Sequence, residues 1–314
     1  MYNELIQFIR ELYNQPTGVV PLHAPTFQDL DSQYVLDAID STFVSSVGAY
    51  VDRFEHKLAE YTGAAKAVAT VNGTTALQTA LRLVGVEHGD EVITQPLTFV
   101  ATANAIVHQG GRPVFVDVDL DTMGLSPKAL ESFLDQNAFQ TAEGVFNKLS
   151  GARIAAIVPM HTFGHPCRIQ QIMEVASNWS IPVVEDAAEA LGSWVGNDHC
   201  GTMGDIGILS FNGNKTITCG GGGAILTNNE SLGVKAKHLT TTAKVPHAWE
   251  FDHDDLGYNF RMPNLNAALA CAQLKRLEKI LEEKRSIAAS YQRFFADQHW
   301  AEFCQEPEGT LSNY

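Results

Sequence analysis

The sequence has few cysteines and an excess of acidic over basic residues. Its five cysteines show no Cys-x-x-Cys spacing, so they favour neither a zinc site nor a disulfide framework and are typical of a reducing compartment. There are 21 Lys and Arg against 36 Asp and Glu, which gives a formal net charge of −15, and no basic patch is extended. Binding to nucleic acid or to an anionic membrane surface is not expected, because both need clustered positive charge.

The chain also lacks the patterns of a membrane span and of a leader peptide. No uninterrupted apolar stretch approaches the roughly 20 residues that cross a bilayer, and no positive-apolar-small leader opens the sequence. The sequence therefore predicts no membrane partner and a cytoplasmic location. Hydrophobic residues make up 45% of the 314 residues, which is enough for a large packed core.

What the sequence does contain is an alternation of short apolar runs and helical patterns. The runs predict strands near residues 66–71, 91–95, 113–117, 154–159, 182–186 and 206–211. This alternation predicts an α/β fold with a mostly parallel sheet and ligands at the carboxyl ends of its strands. We expect an N-terminal arm over residues 1–48 with a helix at 2–13, a large α/β domain over 49–251, and the start of a smaller domain over 252–314 with a long helix at 264–293.

A lysine and an aspartate give the strongest chemical signal. Lys215 lies in the loop of residues 210–216, and Asp186 ends a predicted strand about one βαβ unit upstream. A lysine amine can condense with the aldehyde of pyridoxal phosphate, and an aspartate can keep the pyridine nitrogen protonated. Either residue alone has an ordinary explanation, since a loop lysine is usually solvated and an aspartate at a strand end is commonly a turn residue.

Two further segments could serve the phosphate and the ring of such a cofactor. The Asn-Gly-Thr-Thr turn of residues 72–75 opens a helical pattern after an apolar run, and N–H groups at a helix start bind phosphate. Phe99 follows the run at 91–95 and could stack on the ring. Taken singly, the first is an ordinary helix cap and the second a core residue. Together with Lys215 and Asp186 they form one consistent strand-to-helix context.

These segments resemble the DegT/DnrJ/StrS family of pyridoxal-phosphate-dependent sugar aminotransferases, of fold type I. The matching motifs are at residues 72–77, 98–102, 113–119, 158–164, 185–193, 210–216 and 257–262. The resemblance implies a large, mostly parallel, seven-stranded-type sheet flanked by helices and a smaller C-terminal α/β domain. Relatives of this type continue past Tyr314, so the small domain is expected to be incomplete. Residues 8–13 and 41–48 are most similar to the LegC-type branch, which acts on 4-keto nucleotide sugars.

The resemblance implies a role for each residue that contacts the cofactor. Lys215 would bond to the cofactor aldehyde, Asp186 would partner the ring nitrogen, and Glu189 would lie near the ring hydroxyl. The residues that would hold the phosphate are Thr74, Thr75 and Ser210.

Three other residues receive roles from the same resemblance. Phe99 would stack on the cofactor ring. Asn259 would reach the phosphate from the neighbouring subunit, which implies a homodimer with a shared active site. His161 matches a recurring histidine near the sugar side, whose role varies within the family.

The predicted activity is amination of the 4-keto group of a UDP- or GDP-linked 6-deoxyhexose, in the biosynthesis of cell-surface polysaccharide or nonulosonic acid. Glutamate is the amino donor that the resemblance implies, in a ping-pong cycle. A sugar dehydratase of the same family is one alternative, but dehydratases replace the cofactor lysine, typically with histidine, and Lys215 is present. A non-catalytic, cofactor-binding regulator is another, which the intact set of Lys215, Asp186, Ser210 and Asn259 disfavours.

Three segments imitate other binding motifs. Residues 117–121 carry the alternating aspartates of a calcium loop, but Thr122 stands where glycine is needed and Lys128 where glutamate is needed. The glycines of residues 220–223 follow the lysine instead of preceding it, so they do not form a P-loop. The His and Asp residues between 247 and 255 lack ligand spacing and predict a polar surface loop. No metal site is therefore expected.

Overall fold

The computed structural model describes residues 2–314. The helices are α1 (Tyr2–Leu12), α2 (Asp29–Asp40), α3 (Ala49–Thr62), α4 (Gly73–Leu83), α5 (Val100–His108), α6 (Pro127–Asn137), α7 (Ile169–Trp179), α8 (Glu230–Thr240), α9 (Asn264–Leu274) and α10 (Leu277–Ala296). The strands are β1 (Lys66–Thr70), β2 (Glu91–Thr94), β3 (Arg112–Phe115), β4 (Ala138–Thr141), β5 (Gly144–Asn147), β6 (Ile154–Val158), β7 (Val184–Asp186), β8 (Trp194–Val195), β9 (Asp198–His199), β10 (Ile206–Ser210), β11 (Gly223–Thr227) and β12 (Thr310–Leu311). Among these helices, none has the length and apolarity to span a membrane.

The central layer is a seven-stranded sheet made of two hydrogen-bonded sets. Strands β1, β11, β10 and β7 form one set, and β3, β2 and β6 form the other. Parallel bridges between Ile157 and Val183 and between Met160 and Asp186 connect β6 to β7 and join the two sets. β11 runs antiparallel to both of its neighbours, and the other six strands are parallel to one another. The predicted mostly parallel α/β sheet is therefore confirmed, and the carboxyl ends of its parallel strands meet at one edge.

The sheet is buried between helices on both faces. β2 and β6 are buried at every residue, as is typical of parallel strands covered on two sides. Successive residues of a strand face opposite sides, so Val92 packs with α4, α5 and α8 whereas Ile93 packs with α6 and α7. Burial of each such side chain contributes about 1.5–3 kcal/mol, which fixes the sheet between its helical layers.

The six predicted strands are all present, with bounds within two residues of the prediction. β11 is a seventh strand that the prediction lacks, because the glycine run of residues 220–223 leads into it and hides its start. The antiparallel hairpins β4–β5 and β8–β9 are also unpredicted, since their strands are too short to show a clear alternation.

The single long helix predicted over residues 264–293 is wrong, because the chain breaks between α9 and α10. The break falls at Lys275 and Arg276. The Arg276 guanidinium donates to the Thr26 carbonyl and the Asp31 carboxylate, each at 3.1 Å, which fixes the chain where the helix ends. α9 shares a hydrophobic cluster with α3, in the part of the chain assigned to the small domain. The division at residues 48 and 251 stays a prediction.

Candidate active site

A cavity of about 340 Å³ lies where the carboxyl ends of β1, β2, β6, β7 and β10 meet. This cavity is lined by six of the eight residues that the sequence predicts for the site, although these six come from four separate segments of the chain. These residues are Thr74, Phe99, Asp186, Glu189, Ser210 and Lys215. Thr75 and Asn259 do not line it.

Lys215 presents its amine to the cavity from the loop that follows β10. Its backbone N–H donates to the Asn212 carbonyl at 3.0 Å, which closes the turn. The Lys215 Nζ donates to Glu189 Oε1 at 3.1 Å, and the other Glu189 oxygen accepts from the Phe163 N–H at 3.0 Å. The carboxylate of Glu189 is held in place on one side and orients the lysine amine on the other.

Asp186 ends β7 and is almost fully buried at the cavity wall. Its Oδ2 accepts from the Thr102 hydroxyl at 2.7 Å, and its Oδ1 accepts from the Ala188 N–H at 3.2 Å. Within residues 2–314, no basic side chain forms an ion pair with it. Burial therefore raises the pKa of Asp186, and a cation placed in the cavity would stabilise its ionised form.

Thr102 is a site residue that the sequence prediction lacks. Its hydroxyl donates to Asp186 and also contacts the Thr98 hydroxyl at 2.7 Å. The sequence signal that could have identified Thr102 is its spacing from Phe99. Thr102 lies on α5, three residues after Phe99, and residues at this spacing share a helix face. Both side chains line the same cavity.

The first turn of α4 lies beside Ser210, at the other end of the cavity. Asn72 caps the helix by accepting from the Thr75 N–H at 2.9 Å, and the Thr75 hydroxyl donates to the Asn72 carbonyl at 2.9 Å. A Cβ on Gly73 would lie 2.9 Å from Ser210 Cβ, and one on Gly223 would lie 2.4 Å from the Asn72 carbonyl carbon. Glycine at both positions lets the helix start approach β10 and β11, and its unpaired N–H groups suit a phosphate.

Phe99 is not a core residue, since its side chain is 67% exposed. It stands immediately before α5 and lines the cavity. An exposed aromatic face at a cavity wall can pack against a flat ring.

Asn259 is exposed and does not line this cavity. Its side-chain oxygen accepts from Arg261 Nε at 3.0 Å and from Arg261 Nη2 at 2.9 Å. Its backbone forms an antiparallel bridge with Thr241 at the end of α8. Asn259 therefore does not reach the cavity within its own chain.

His161 is fully buried, and it pairs with Glu185 instead of lining the cavity. Its Nδ1 accepts from the Cys167 N–H at 3.2 Å, which assigns the proton to Nε2, 2.9 Å from Glu185 Oε2. Burial acts to raise the pKa of Glu185, but the hydrogen bond from His161 and backbone N–H groups hold it below the ordinary value. These contacts agree with the structural role that a histidine in a strand-end loop usually has. The position near the sugar side that the resemblance implies stays a prediction.

The segments that imitate other motifs have partners of their own. Arg168 donates to Asp121 at 3.0 and 2.5 Å and also binds Asp119, so an arginine occupies the acidic loop. His238 Nε2 lies 2.5 Å from Asp254. Over residues 2–314, no group of His, Cys, Asp and Glu has the arrangement of a metal site.

The cavity wall fits pyridoxal phosphate at its aldehyde, its ring, its ring nitrogen and its phosphate. Lys215 presents an amine for the aldehyde, and Phe99 presents a face for the ring. The α4 start and Ser210 suit the phosphate. Asp186 is the most informative of these residues, because a buried carboxylate without a cationic partner in the described chain is costly unless a ligand supplies the charge.

The fold and this site define a fold type I aminotransferase. The chain belongs to the DegT/DnrJ/EryC1/StrS aminotransferase family, whose model matches residues 25–312. Enzymes of this family depend on pyridoxal phosphate, so the family and the cofactor predicted from the sequence are both confirmed.

Individual relatives agree with this assignment. The chain is 38% identical over 274 residues to GDP-perosamine synthase of Escherichia coli O157:H7, across 87% of this chain and 71% of the relative. The aminotransferase TlmJ of Streptoalloteichus hindustanus superposes with a TM-score of 0.83 at 29% identity, across 94% of this chain and 77% of TlmJ. Helicobacter pylori PseC, an aminotransferase involved in pseudoaminic acid biosynthesis, superposes with a TM-score of 0.79 at 27% identity, across 89% of this chain and 71% of PseC.

Proposed function

We propose that this aminotransferase converts the 4-keto group of a nucleotide-linked 6-deoxyhexose to an amine, with glutamate as amino donor. The observation that carries the proposal is the cavity in which Lys215 and Asp186 stand together, in a chain of this family. The name of the GDP-perosamine synthase relative supports a GDP-linked sugar, and that of PseC supports a role in the synthesis of surface sugars. A UDP-linked substrate and membership of the LegC-type branch stay predictions. A cytoplasmic location is part of the proposal, supported by the absence of disulfides among the cysteines of the described chain.

The side chains of the cavity have distinct tasks in this reaction. When bound, pyridoxal phosphate supplies an aldehyde that accepts the amino group and a ring that accepts electrons. Lys215 Nζ, which Glu189 orients, takes and returns the proton at the reacting carbon. The Asp186 carboxylate, which Thr102 and Ala188 orient, holds a positive charge at the ring nitrogen. Phe99 would pack against one face of the ring when the cofactor is bound.

The substrate can be identified from the absorbance of the cofactor. Glutamate alone is expected to convert the cofactor to its amine form, and the matching keto nucleotide sugar is expected to restore the aldehyde form. A panel of GDP-, UDP- and dTDP-linked 4-keto sugars would identify that sugar. A dehydratase would yield a deoxygenated sugar without net transfer of nitrogen, and a non-catalytic regulator would show no spectral change with any pair of substrates.

Lys215 is expected to be the residue that carries the cofactor. Borohydride reduction should leave the cofactor covalently attached to the peptide that contains Lys215, as read by mass spectrometry. Lys215→Ala should bind the cofactor without turnover, because it lacks the amine that moves the proton. Lys237→Ala is the matched control, since Lys237 lies outside the cavity and pairs with Glu55 at 2.6 Å. Recovery of the label on Lys237 or Lys244 would contradict the assignment.

We further propose that the active site is shared across a two-fold homodimer, with Asn259 reaching the phosphate in its neighbour. Support comes from the surface position of Asn259, outside the cavity of its own chain. A C2 interface would build two such sites from reciprocal contributions.

Mixed dimers test this arrangement. Lys215→Ala and Asn259→Ala chains are each expected to be inactive or weak. After the two are mixed and subunit exchange is verified, about half of the dimers are hybrids with one intact site, so about a quarter of wild-type activity should return. If each site belonged to a single chain, mixing would restore nothing.

A further inference from the structure

The chain that follows α10 returns to the candidate active site. Arg285 on α10 donates to both oxygens of Glu306 at 2.8 and 2.7 Å and to the Ser312 carbonyl at 2.6 Å. The Glu306 carboxylate also accepts from the Ser312 N–H at 2.7 Å. These bonds hold residues 306–312 against α10 and place the next residue, Asn313, inside the protein, where it is only 2% exposed.

The side-chain amide of Asn313 joins two loops that line the cavity. Its Nδ2 donates to the Glu189 carbonyl at 2.7 Å and to the Leu191 carbonyl at 2.9 Å, both in the loop after β7. It also donates to the Thr216 hydroxyl at 3.0 Å, in the loop after β10. An amide nitrogen has two N–H groups, so three acceptors engage it completely. One buried side chain therefore connects the loop after β7 with the loop after β10.

Gly164 leaves room for the Asn313 side chain. A Cβ on Gly164 would lie 1.9 Å from Asn313 Oδ1, and the φ of +80° at this position also favours glycine. The Asn313 backbone N–H donates to Ser193 Oγ at 3.0 Å, and the Ser193 hydroxyl donates to the Gly164 carbonyl at 2.7 Å. These contacts fix the position from which the Asn313 amide reaches the two loops.

The two loops that Asn313 joins carry the two members of an ion pair. Lys215 Nζ donates to Glu189 Oε1 at 3.1 Å. Asn313 binds the backbone of Glu189 itself and the side chain of the residue that follows Lys215. The separation of the loops is therefore set at two points, by the ion pair in the cavity wall and by the Asn313 amide, which does not line the cavity. Because a reacting group misplaced by about 1 Å can lower a rate about 100-fold, this separation matters for the lysine amine.

Building on the proposed role of Lys215, we infer that Asn313 is a positioning residue for the lysine amine. It acts through Glu189 and Thr216, since it does not line the cavity itself. Its donors hold the loop after β10 at the distance from the loop after β7 at which the Lys215 amine reaches the cofactor aldehyde. The bonds of residues 306–312 to α10 make this placement depend on the chain that follows α10.

The rate at which the cofactor attaches to Lys215 tests this inference without turnover. Cofactor is added to the cofactor-free protein, samples are reduced with borohydride at successive times, and the label on Lys215 is measured by mass spectrometry. Attachment in Asn313→Ala should be about tenfold slower than in wild type, or more. Asn313→Asp keeps the shape of the side chain but replaces its donor by an oxygen, so it should be at least as slow. Ser312→Ala is the matched control and should attach the cofactor like wild type, because the Ser312 hydroxyl donates to the Gly164 carbonyl and to neither loop.

Steady-state kinetics, expressed per folded molecule, separate positioning from substrate binding. Asn313→Ala should lower kcat about 10- to 100-fold and leave KM unchanged for glutamate and for the keto sugar. Thr216→Val is nearly isosteric and removes one acceptor of the Asn313 amide, so it should also lower kcat. Because the two changes break the same hydrogen bond, the double variant should lose less than the product of the single losses. Thr216→Val decides the question by itself if Asn313→Ala does not fold.

The other outcomes separate failure of this inference from failure of the proposed function. Reduced stability of Asn313→Ala with a wild-type attachment rate and kcat would overturn the inference, because the role of Asn313 would then be structural only. A raised KM at unchanged kcat would overturn it too, and so would strictly multiplicative losses in the double variant. These results leave the assignment of Lys215 intact. A wild-type protein that carries no label on Lys215 would instead overturn the proposed function and this inference together.

Discussion

Glu185 and Asp186 are adjacent carboxylates on β7, and their environments differ sharply. Because successive residues of a strand face opposite sides, Glu185 turns into the protein while Asp186 turns into the cavity. Glu185 Oε2 lies 2.9 Å from His161 Nε2, and the Glu185 carboxylate accepts three backbone N–H bonds at 2.9, 2.7 and 2.6 Å. Within residues 2–314, the Asp186 carboxylate accepts hydrogen bonds only from the Thr102 hydroxyl and the Ala188 N–H.

The difference shows how equal burial can serve two purposes. Both side chains are almost fully buried, yet the pKa of Glu185 is lowered and the pKa of Asp186 is raised. The protein supplies the donors that keep Glu185 ionised, so this residue stabilises the fold. It leaves Asp186 short of positive charge, which a ligand can supply. A perturbed carboxyl in a cavity is typical of a functional site, whereas a satisfied buried pair is structural.

The largest expected effect is on activity, from Asp186→Asn. The change is nearly isosteric but removes the charge that holds the ring nitrogen positive, so kcat/KM should fall about a thousandfold, equivalent to about 4 kcal/mol. Steady-state kinetics with glutamate and the identified keto sugar measure the loss. Glu185→Gln is the matched control on the neighbouring residue, and its folded fraction should lose far less activity. Near-normal turnover in Asp186→Asn would mean that another group holds the ring nitrogen.

The second-largest expected effect is a loss of stability in Glu185→Gln. The free energy of unfolding should fall by about 3–5 kcal/mol, because His161 and the backbone N–H groups lose their ionised acceptor. Chemical denaturation of the cofactor-free protein measures this loss. Glu306→Gln, which weakens the partly exposed pair with Arg285, should cost about 1 kcal/mol or less. Equal losses in the two variants would contradict a structural role for the buried pair.

The two carboxylates should also respond oppositely to pH in the cofactor-free protein. The pKa of Glu185 lies below its ordinary value of 4.5, so the stability that it contributes is complete above pH 4.5 and is lost as the pH falls through the lowered pKa. The pKa of Asp186 lies above its ordinary value of 3.8, so its contribution is complete below pH 3.8 and is lost as the pH rises through the raised pKa. The stability differences of Glu185→Gln and Asp186→Asn from wild type should therefore change with pH in opposite directions.

The smallest effect is expected from Thr102→Val, which removes one hydrogen bond to Asp186. Because a hydrogen bond to a charged group contributes about 1.5–3 kcal/mol, kcat/KM should fall about 10- to 150-fold, with little change in KM for the sugar. Thr98→Val is the control, since Thr98 contacts Thr102 but not Asp186. A loss as large as that of Asp186→Asn would show that Thr102 has a role beyond orienting the carboxylate.

The sequence predicted much of the fold because its central strands are long apolar runs separated by helical periodicity. It missed β11, whose start lies in a glycine run, and it merged α9 with α10, because the break depends on contacts of Arg276 with Thr26 and Asp31. Those partners lie 250 and 245 residues away, so no local pattern marks the break.

By itself, the sequence determined which residues could carry the chemistry, because Lys215 and Asp186 stand in a loop and at a strand end that can be located from local patterns. Only the tertiary structure decided the partners of each residue. The hydrogen bond from Thr102 to Asp186 spans 84 positions, and that between His161 and Glu185 spans 24. Burial and pairing are sums over distant segments, so they fix pKa values and ligand sites that no short stretch of sequence contains.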